Sequence, residues 1–456
     1  MLVWSLVFYG WGEAAHLWLL LVSIAVNFGC GKALERTGSR WLLAAGVVFN
    51  LSLLGAFKYA GFFAEAVNGI TALAVQPPPL ALPLAISFFT FQQIAYLCDA
   101  RAGNESGGSL LEYAAFVSFF PQLIAGPIVH HKDLIPQLRD GPDRRRFGED
   151  VAVGTTLFAI GLFKKAVIAD GIAVHADEVF SQAANGATLT AAQAWTGAIA
   201  YHFQIYFDFS AYSDMASGAA RLFGIILPLN FNAPYRSTSI IEFWRRWHIT
   251  LSHFLRDYLY IPLGGSRRGP PRWFASLMIT MLLGGLWHGA GWNFLVWGGL
   301  HGGYLVINHL WRHLTPDFRR RGHEGFACRA LAWLVTSVAV IVAWVFFRAE
   351  DLTTAAAMLE AMSTAEGLTG GWDALWAGLS ASSLSASLAA LWAGILLLPT
   401  GQQLLRDYRP ALGMAAVRPH PIRWRPTAGW AFAVAILFLT AVTVTNSSEA
   451  FVYFRF

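Results

Sequence analysis

The chain has 456 residues, of which 56% are hydrophobic and only 13% are charged, and its formal net charge is +5. Soluble domains carry about 25% charged residues, so this composition excludes an ordinary soluble enzyme and indicates a polytopic membrane protein. The basic residues cluster in short loops between apolar runs, which is the positive-inside pattern of membrane topology. The lipid bilayer is therefore the expected partner, and no nucleic-acid partner is predicted.

Apolar runs long enough to cross a bilayer as helices recur along the chain. We predict about ten spans: Val3–Gly29, Trp41–Phe63, Leu80–Leu97, Val151–Val174, Ala191–Phe207, Trp273–Trp287, Trp292–Leu310, Ala330–Phe347, Leu384–Leu398 and Trp430–Val444. The loops rich in Lys and Arg are predicted to face the cytoplasm; they are 32–40, 139–146, 267–272, 312–329 and 406–425. The sequence thus predicts an all-α fold in one membrane-embedded domain over residues 1–456.

Two stretches are predicted to enter the membrane region without crossing it. Each pair of cytoplasmic loops must be separated by an even number of spans, so Asp208–Gly265 makes no net crossing and is re-entrant or interfacial. Tyr113–Val129 is apolar but broken by Pro121 and other helix breakers, and broken backbone at membrane depth requires protein neighbours. The same count of crossings places residues 447–456 on the extracytoplasmic side.

Charged and imidazole side chains interrupt the apolar sequence between Tyr206 and His288. They are Asp208, Asp214, Glu242, Arg245, Arg246, His248, Arg256, Asp257 and His288. Because such groups are costly inside a bilayer, they indicate a functional site by default.

Two histidines are the strongest candidates in this stretch. His288 follows Trp287 at the end of a predicted span, and His248 lies in the segment FWRRWHITLSHF, which makes no net crossing. A lone buried histidine is more often a hydrogen-bonded core residue, but two imidazoles at membrane depth suit proton abstraction near neutral pH. The pair therefore favours a catalytic role.

Arg245 and Arg246 allow two interpretations. Either they snorkel toward phospholipid headgroups, with Glu242 as a partner on the same helical face, or they line the cytoplasmic mouth of a cavity. In the second case they attract an anionic donor, such as a thioester carrier that bears phosphate groups.

The remaining acidic residues of this stretch are predicted to be structural. Asp208 and Asp214 are six residues apart, so on one helix they point in different directions rather than toward one metal ion. We expect each to pair with Arg221, Arg245 or Arg256, or to cap a broken helix. No metal-ligand motif occurs in the sequence, so no metal site is predicted. The predicted structural charges are Asp208, Asp214, Glu242 and Arg256.

Five long motifs, in this order, resemble the membrane-bound O-acyltransferase superfamily. They are VSFFPQLIAGPIV at 117–129, GLFKKAVIAD at 161–170, YFDFSAYSDMASGAARLFG at 206–224, FWRRWHITLSHFLRDYLYIPLGGSR at 243–267 and GGLWHGAGWNFLVWGGLHG at 284–302. The resemblance is to the bacterial branch that includes the membrane component of alginate O-acetylation. Relatives usually begin with an additional apolar helix, whereas this chain starts almost directly at the segment after it.

The resemblance implies a helical bundle with re-entrant segments around a central tunnel. It implies His288 as general base, His248 nearby in the tunnel, and Trp287 and Asn293 in the tunnel wall. It also implies a cytoplasmic acyl thioester donor, usually acetyl-CoA, with no bound cofactor. The acceptor would be an extracytoplasmic polysaccharide, reached through a periplasmic or membrane-anchored transferase, and the location would be the bacterial inner membrane.

The last residues, 446–456, end in the aromatic motif FVYFRF, which resembles the ending common in this branch. In the related teichoic acid D-alanylation system, a small partner protein ends in a similar motif whose tyrosine resembles an acyl relay. Tyr453 is therefore a candidate relay that carries the acyl group as an aryl ester. An interfacial aromatic anchor explains the motif equally well.

Two other kinds of function remain open on the sequence. The same fold could transfer D-alanine to teichoic-acid-like polymers, or acylate lipids. A proton-coupled transporter could also place histidines and broken helices at membrane depth, although such transporters usually show internal pseudo-symmetry and this sequence shows none.

Overall fold

The computed structural model describes residues 1–71, 73–78, 80–103, 108–124, 126–315, 325–364 and 383–445. Within these ranges the chain is helical, and its only extended pairing is an isolated bridge between Pro228 and Leu412. The prediction of an all-α fold is confirmed.

The chain forms two compact units. The first unit comprises Met1–Phe158, Ser213–Leu229 and Asp407–Ala416, and the second comprises Ala159–Tyr212, Asn230–Arg406 and Val417–Phe456. The helices that lie entirely in the first unit are α1 (Leu2–Glu13), α2 (Leu17–Thr37), α3 (Arg40–Leu54), α4 (Ala60–Ile70), α5 (Ile86–Arg101), α6 (Leu110–Ser118), α7 (Phe120–Leu123) and α8 (His131–Asp140).

Two longer helices contribute residues to both units, namely α9 (Phe147–Phe163) and α11 (Ala191–Leu222). The helices of the second unit are α10 (Asp170–Ala184), α12 (Ile240–Trp244), α13 (Ile249–Leu255), α14 (Pro270–His288), α15 (Trp292–Leu314), α16 (Phe326–Arg348), α17 (Leu352–Ser363), α18 (Ser383–Leu397), α19 (Gly401–Leu404) and α20 (Ala428–Val444).

The predicted interruption near Pro121 is present in the first unit. Helix α6 begins with a capping box between Ser109 and Glu112 and ends at Ser118, and the short α7 restarts with Pro121 in its first turn. The Gln122 side-chain amide donates a hydrogen bond to the Phe116 carbonyl at 2.9 Å. Both residues are buried, so the broken backbone packs against protein, as its polar groups require in a membrane.

Helix α11 is longer than predicted. It was expected to end at Phe207, but it continues through Asp208 and Asp214 to Leu222 over 32 residues, about 48 Å at 1.5 Å per residue. No proline lies in this stretch, and Ala and Ser residues are compatible with helix continuation. The first part of the predicted non-crossing stretch is therefore helix.

The rest of that stretch, within the second unit, is broken as expected. Helices α12 and α13 are only five and seven residues long. Two residues of this stretch have backbone in the left-handed region: Ala233, with φ +47°, precedes the single turn Pro234–Arg236, and His248, with φ +40°, directly precedes α13. Non-glycine residues adopt this conformation at a cost, and such residues concentrate at functional sites.

Helices α14 and α15 form a closely packed hairpin. A Cβ atom on Gly285 would collide with the Phe294 carbonyl oxygen, and one on Gly298 would collide with the Met281 carbonyl oxygen. Small residues at such crossings let membrane helices approach closely, so these glycines bring the end of α14 against α15.

Five helical segments of the described chain are long and apolar enough to cross a membrane. They are Leu2–Thr37, Arg40–Ile70, Arg144–Ala184, Phe326–Arg348 and Ala386–Tyr408, and the shorter apolar α20 adds 17 residues. Large apolar side chains on these segments are exposed, for example Trp41 at 73% and Leu331 at 62%. Such surfaces are unfavourable in water and suit lipid contact, and the protein is a polytopic membrane protein.

Candidate active site

His248 is held by its backbone and by Asn230. It precedes α13 with φ +40° and ψ +55°, and its side chain is fully buried. Its Nδ1 lies 3.1 Å from Oδ1 of Asn230. The ring of Phe209 packs edge-on against the imidazole at 4.7 Å between centroids. The imidazole is therefore fixed in orientation.

The hydrogen bonds around Asn230 determine which nitrogen of His248 carries the proton. The backbone N–H and hydroxyl of Thr250 both donate to Oδ1 of Asn230, at 3.4 and 2.9 Å. Because a backbone N–H is only a donor, the atom it contacts is the amide oxygen, and His248 Nδ1 must donate to it. The Nε2 atom then carries a lone pair, and it has no hydrogen-bond partner among the described residues.

The His248 imidazole is a base that is neutral at physiological pH. His248 lies in the broken stretch, outside the segments that could span the membrane, and burial lowers the pKa of its imidazole to about 3. At neutral pH its Nε2 can accept a proton or a hydrogen bond from a bound molecule.

His288 is the last residue of α14 and is buried. Its imidazole contacts the rings of Trp297 and Phe347 edge-on, with centroids 5.1 and 5.2 Å away. The indole of Trp287 lies 5.0 Å from the His288 ring and 6.3 Å from the His248 ring, centroid to centroid. The structure therefore brings the two predicted histidines to a common neighbour, Trp287.

Asn293 positions the start of α15 beside His288. Its side-chain amide donates a hydrogen bond to the carbonyl of Ala349 at 2.7 Å, and the side chain is buried. Ala349 directly follows α16, which ends at Arg348, and Phe347 in the last turn of α16 packs against the His288 ring. This bond ties α15 to the end of α16 around the histidine.

The two candidate arginines differ in their surroundings. Arg246 Nη2 lies 2.6 Å from Glu242 Oε1, and Arg246 Nη1 donates to the Asn232 carbonyl at 3.3 Å. Glu242 also accepts hydrogen bonds from Thr238, and although burial raises its pKa, these bonds and Arg246 hold the pKa of the carboxyl below its usual range. Arg245 is exposed. The expected pairing of Glu242 with this arginine pair is confirmed for Arg246.

Asp208 pairs with a lysine rather than with one of the arginines expected for it. Asp208 is buried on α11 and pairs with Lys165, whose Nζ lies 2.8 Å from Asp208 Oδ1 and 2.7 Å from Asp170 Oδ1. Lys165 lies in a wide π-helical turn, Lys164–Ala169, that joins α9 to α10. This turn directs the ammonium group of Lys165 toward α11. The three side chains form a charge cluster of one cation and two carboxylates, in which Asp208 is buried and Lys165 and Asp170 are partly buried.

The other predicted structural charges lie elsewhere. Asp214 is buried on α11 within the first unit. Arg221, one of the partners expected for the aspartates, instead pairs with Asp150 at 2.7 Å. Arg256 pairs with its neighbour Asp257 at 2.7 Å.

Sequence reasoning missed three residues beside the predicted site. Asn230 and Lys165 were missed because their partners, His248 and Asp208, are distant in sequence. His301 was missed although it stands in the motif GGLWHGAGWNFLVWGGLHG, four residues after Trp297 and hence on the same face of α15. It is fully buried, and Trp244 Nε1 donates to its Nδ1 at 3.2 Å.

Two further predictions concern a metal and the chain end. Within the described ranges, no group of three or more His, Cys, Asp or Glu side chains could hold a metal ion. Tyr453 and the motif at 446–456 lie outside the described residues.

Comparisons with known proteins agree with these motifs. The profile of MBOAT, the membrane-bound O-acyltransferase family, matches residues 80–347. The chain is 43% identical to a peptidoglycan O-acetyltransferase of Helicobacter pylori over 394 residues, which cover 80% of this chain and 73% of that protein.

Two further relatives extend the comparison. The chain is also 43% identical to a probable alginate O-acetylase, AlgI, of Pseudomonas aeruginosa, over 79% of this chain and 69% of that protein. A teichoic acid D-alanyltransferase of Streptococcus thermophilus is 28% identical over 58% of this chain and 68% of its own length. On the profile match and these identities, the chain is an acyltransferase of the membrane-bound O-acyltransferase family.

Proposed function

We propose that this protein transfers an acetyl group from cytoplasmic acetyl-CoA toward O-acetylation of an extracytoplasmic polysaccharide, either an alginate-like exopolysaccharide or a cell-wall glycan. The observation that carries the proposal is the 43% identity to proteins named as a peptidoglycan O-acetyltransferase and an alginate O-acetylase, against 28% to a D-alanyltransferase. The chain would work as a single membrane-embedded domain in the bacterial inner membrane.

His288 is the proposed general base. The acceptor oxygen forms a bond to the thioester carbon while its proton passes to the His288 imidazole. The carbon–sulfur bond then breaks, and CoA leaves as a thiolate that takes up the proton. The buried position of His288 among Trp287, Trp297 and Phe347 supports this role, because exclusion of water prevents hydrolysis of the thioester and strengthens electrostatic interactions.

His248 is the proposed second polar group of the same tunnel. Its neutral Nε2 lone pair, set by Asn230, suits it to accept a hydrogen bond from the acceptor hydroxyl or from a bound thiol. Trp287 would separate the two imidazoles and shape the tunnel wall, and Asn293 would hold the start of α15 through its bond to Ala349.

Arg245 is the better candidate for contact with the anionic donor. Its guanidinium is exposed, whereas that of Arg246 is bound to Glu242 and to the Asn232 carbonyl. Phosphate groups of CoA are recognised well by planar guanidinium groups, which can donate two hydrogen bonds at once. Arg246 would then act mainly by holding the short α12 beside the donor.

Tyr453 is the proposed relay for the outward half of the reaction. An acetyl group on its phenol oxygen would be an aryl ester, which transfers onward readily because a phenolate is a good leaving group. A periplasmic or membrane-anchored transferase would take the group from this ester and place it on the polysaccharide.

The donor and acceptor are tested by isotope labelling. Inverted membrane vesicles from producing cells are supplied with acetyl-labelled acetyl-CoA or with carrier protein already loaded with labelled D-alanine as a thioester, and base-labile label in the polymer fraction is counted. The proposal predicts label from acetyl-CoA that is lost when the gene is deleted and restored by the wild-type chain. Label from D-alanine alone would overturn it in favour of D-alanyl transfer.

A further inference from the structure

Besides His248 and His288, a further buried histidine, His301, lies beside the candidate site. One of its ring nitrogens has no hydrogen-bond partner among the described residues. His301, on α15, is fully buried, and its Nδ1 accepts a hydrogen bond from Trp244 Nε1 at 3.2 Å. An indole N–H can only donate, so Nδ1 of His301 carries the lone pair and Nε2 carries the proton. This tautomer is opposite to that of His248, where Asn230 places the proton on Nδ1.

The Nε2–H group of His301 is unsatisfied within the described part of the chain. Its nitrogen is buried and has no hydrogen-bond partner there. A buried donor left without an acceptor costs about 1–3 kcal/mol, so native proteins rarely retain one without a reason. The same holds for the Nε1–H of Trp297, whose side chain is 1% exposed.

The two donors belong to the aromatic cluster that surrounds His288. The Trp297 ring lies 4.8 Å from the His301 ring and 5.1 Å from the His288 ring, centroid to centroid. Trp244, which fixes the His301 tautomer, belongs to the short α12 just before Arg245. His301 therefore shares the Trp297 ring with the proposed base, and its other neighbour, Trp244, directly precedes Arg245, which is proposed to meet the acyl donor.

We propose that His301 is a further catalytic residue, whose Nε2–H donates a hydrogen bond to the carbonyl oxygen of the acyl thioester. This inference rests on the proposed function. When the acceptor oxygen attacks the thioester carbon, the π electrons of the C=O bond move onto the carbonyl oxygen. The negative charge on the carbonyl oxygen is greatest in the tetrahedral intermediate. Collapse restores the C=O bond and expels the CoA thiolate, which then takes up the acceptor proton from His288.

A neutral imidazole donor suits this task in a buried site. A fixed donor costs little reorganisation when charge develops on the oxygen, and its interaction is stronger where water is excluded. The Trp244 bond supplies the fixed orientation, since it holds both the ring plane and the tautomer of His301. The Nε2–H group of His301, which has no acceptor among the described residues, would thus be satisfied by the carbonyl oxygen of the substrate.

Two isosteric substitutions separate this role from a packing role. His301→Asn retains an acceptor near Nδ1 for Trp244 but removes the group at Nε2. His301→Gln places an amide N–H near Nε2 but displaces the acceptor for Trp244. Initial rates of transfer from labelled acetyl-CoA into the polymer are measured in inverted vesicles, with the amount of folded protein matched by size-exclusion profile after detergent extraction.

The inference predicts that His301→Asn lowers the rate at saturating acetyl-CoA by about 100-fold, as for loss of one oxyanion donor, with the KM for acetyl-CoA within about twofold of wild type. His301→Gln should retain at least about tenfold more activity than His301→Asn. Equal rates for the two variants, or a higher rate for His301→Asn, would overturn the inference.

His288→Ala in the same assay distinguishes failure of the His301 role from failure of the catalysis that is proposed for His288. If His288→Ala abolishes transfer and His301→Asn matches wild type, the donor role of His301 fails and the proposed function stands. If His288→Ala leaves transfer unchanged, the assignment of His288 as the base fails. If the wild-type chain transfers no label from acetyl-CoA above the gene-deletion background, the proposed function itself fails.

Discussion

The side-chain amide of Asn230 lies 3.1 Å from Nδ1 of His248 and determines which imidazole nitrogen carries the proton. Asn230 can do this because Thr250 orients its amide through two hydrogen bonds to the same oxygen. The Ile249 backbone N–H also donates to the Asn230 carbonyl at 2.9 Å. One residue thus fixes both the backbone after His248 and the tautomer of its side chain.

His248→Gly tests the imidazole without disturbing the backbone. Glycine adopts φ +40° without steric cost, so this variant should fold at least as well as His248→Ala. We expect a loss of acetyl transfer of about 100-fold or more, the contribution of a well-placed acid–base group. The measurement is the transfer rate per amount of folded protein. A wild-type rate for His248→Gly would show that the imidazole has only a packing role.

Arg245→Gln tests recognition of the anionic donor. Loss of one charge-assisted hydrogen bond should raise the KM for acetyl-CoA about tenfold and leave the rate at saturation unchanged. Arg246→Gln is the matched comparison, because Arg246 is bound to Glu242 and should change the KM less than about twofold. A larger effect at Arg246 than at Arg245 would contradict the assignment.

Lys165→Met tests the charge cluster. Removal of the lysine takes away the cation that both Asp208 and Asp170 contact. Breaking a fully buried ion pair costs about 3–5 kcal/mol, and this partly buried cluster should lose less. We expect a clear fall in the thermal unfolding temperature of the detergent-solubilised protein. The double variant with Asp208→Asn, which removes one of the two charges, should recover part of the loss; no recovery would argue against an electrostatic cause.

Tyr453→Phe separates the acyl relay from an aromatic anchor. The substitution removes the phenol oxygen but keeps the ring, so an anchoring role predicts normal activity and a relay predicts loss of polymer acetylation. Mass spectrometry of the wild-type C-terminal peptide after incubation with acetyl-CoA should detect an acetylated Tyr453. Normal acetylation of the polymer by Tyr453→Phe would eliminate the relay.

The sequence predicted those features that depend on local pattern and on motif. The all-α membrane fold follows from apolar runs of bilayer length, and the break near Pro121 follows from the backbone chemistry of proline. The pairing of Glu242 with Arg246 was predicted from their spacing of four residues, and it is present although Arg246 lies just after the end of α12.

Features that depend on tertiary packing were not predicted. Lys165 reaches Asp208 only because a π-helical turn directs it toward α11, and neither spacing nor composition reports such a turn. The tautomers of His248 and His301 depend on Asn230 and Trp244, which are 18 and 57 residues away in the sequence. The sequence identified the reactive side chains, whereas the structure was needed to show which groups orient them.

The central claim is that His288 is the base for acyl transfer, and ester-linked acetyl on the extracellular polysaccharide tests it most directly. Cells that carry wild type, His288→Ala or His313→Ala are compared at matched membrane abundance by immunoblot; His313 is an exposed histidine on α15 and serves as the control. We predict loss of the ester in His288→Ala and normal ester in His313→Ala. Normal ester in His288→Ala would contradict the assignment of His288 as the base.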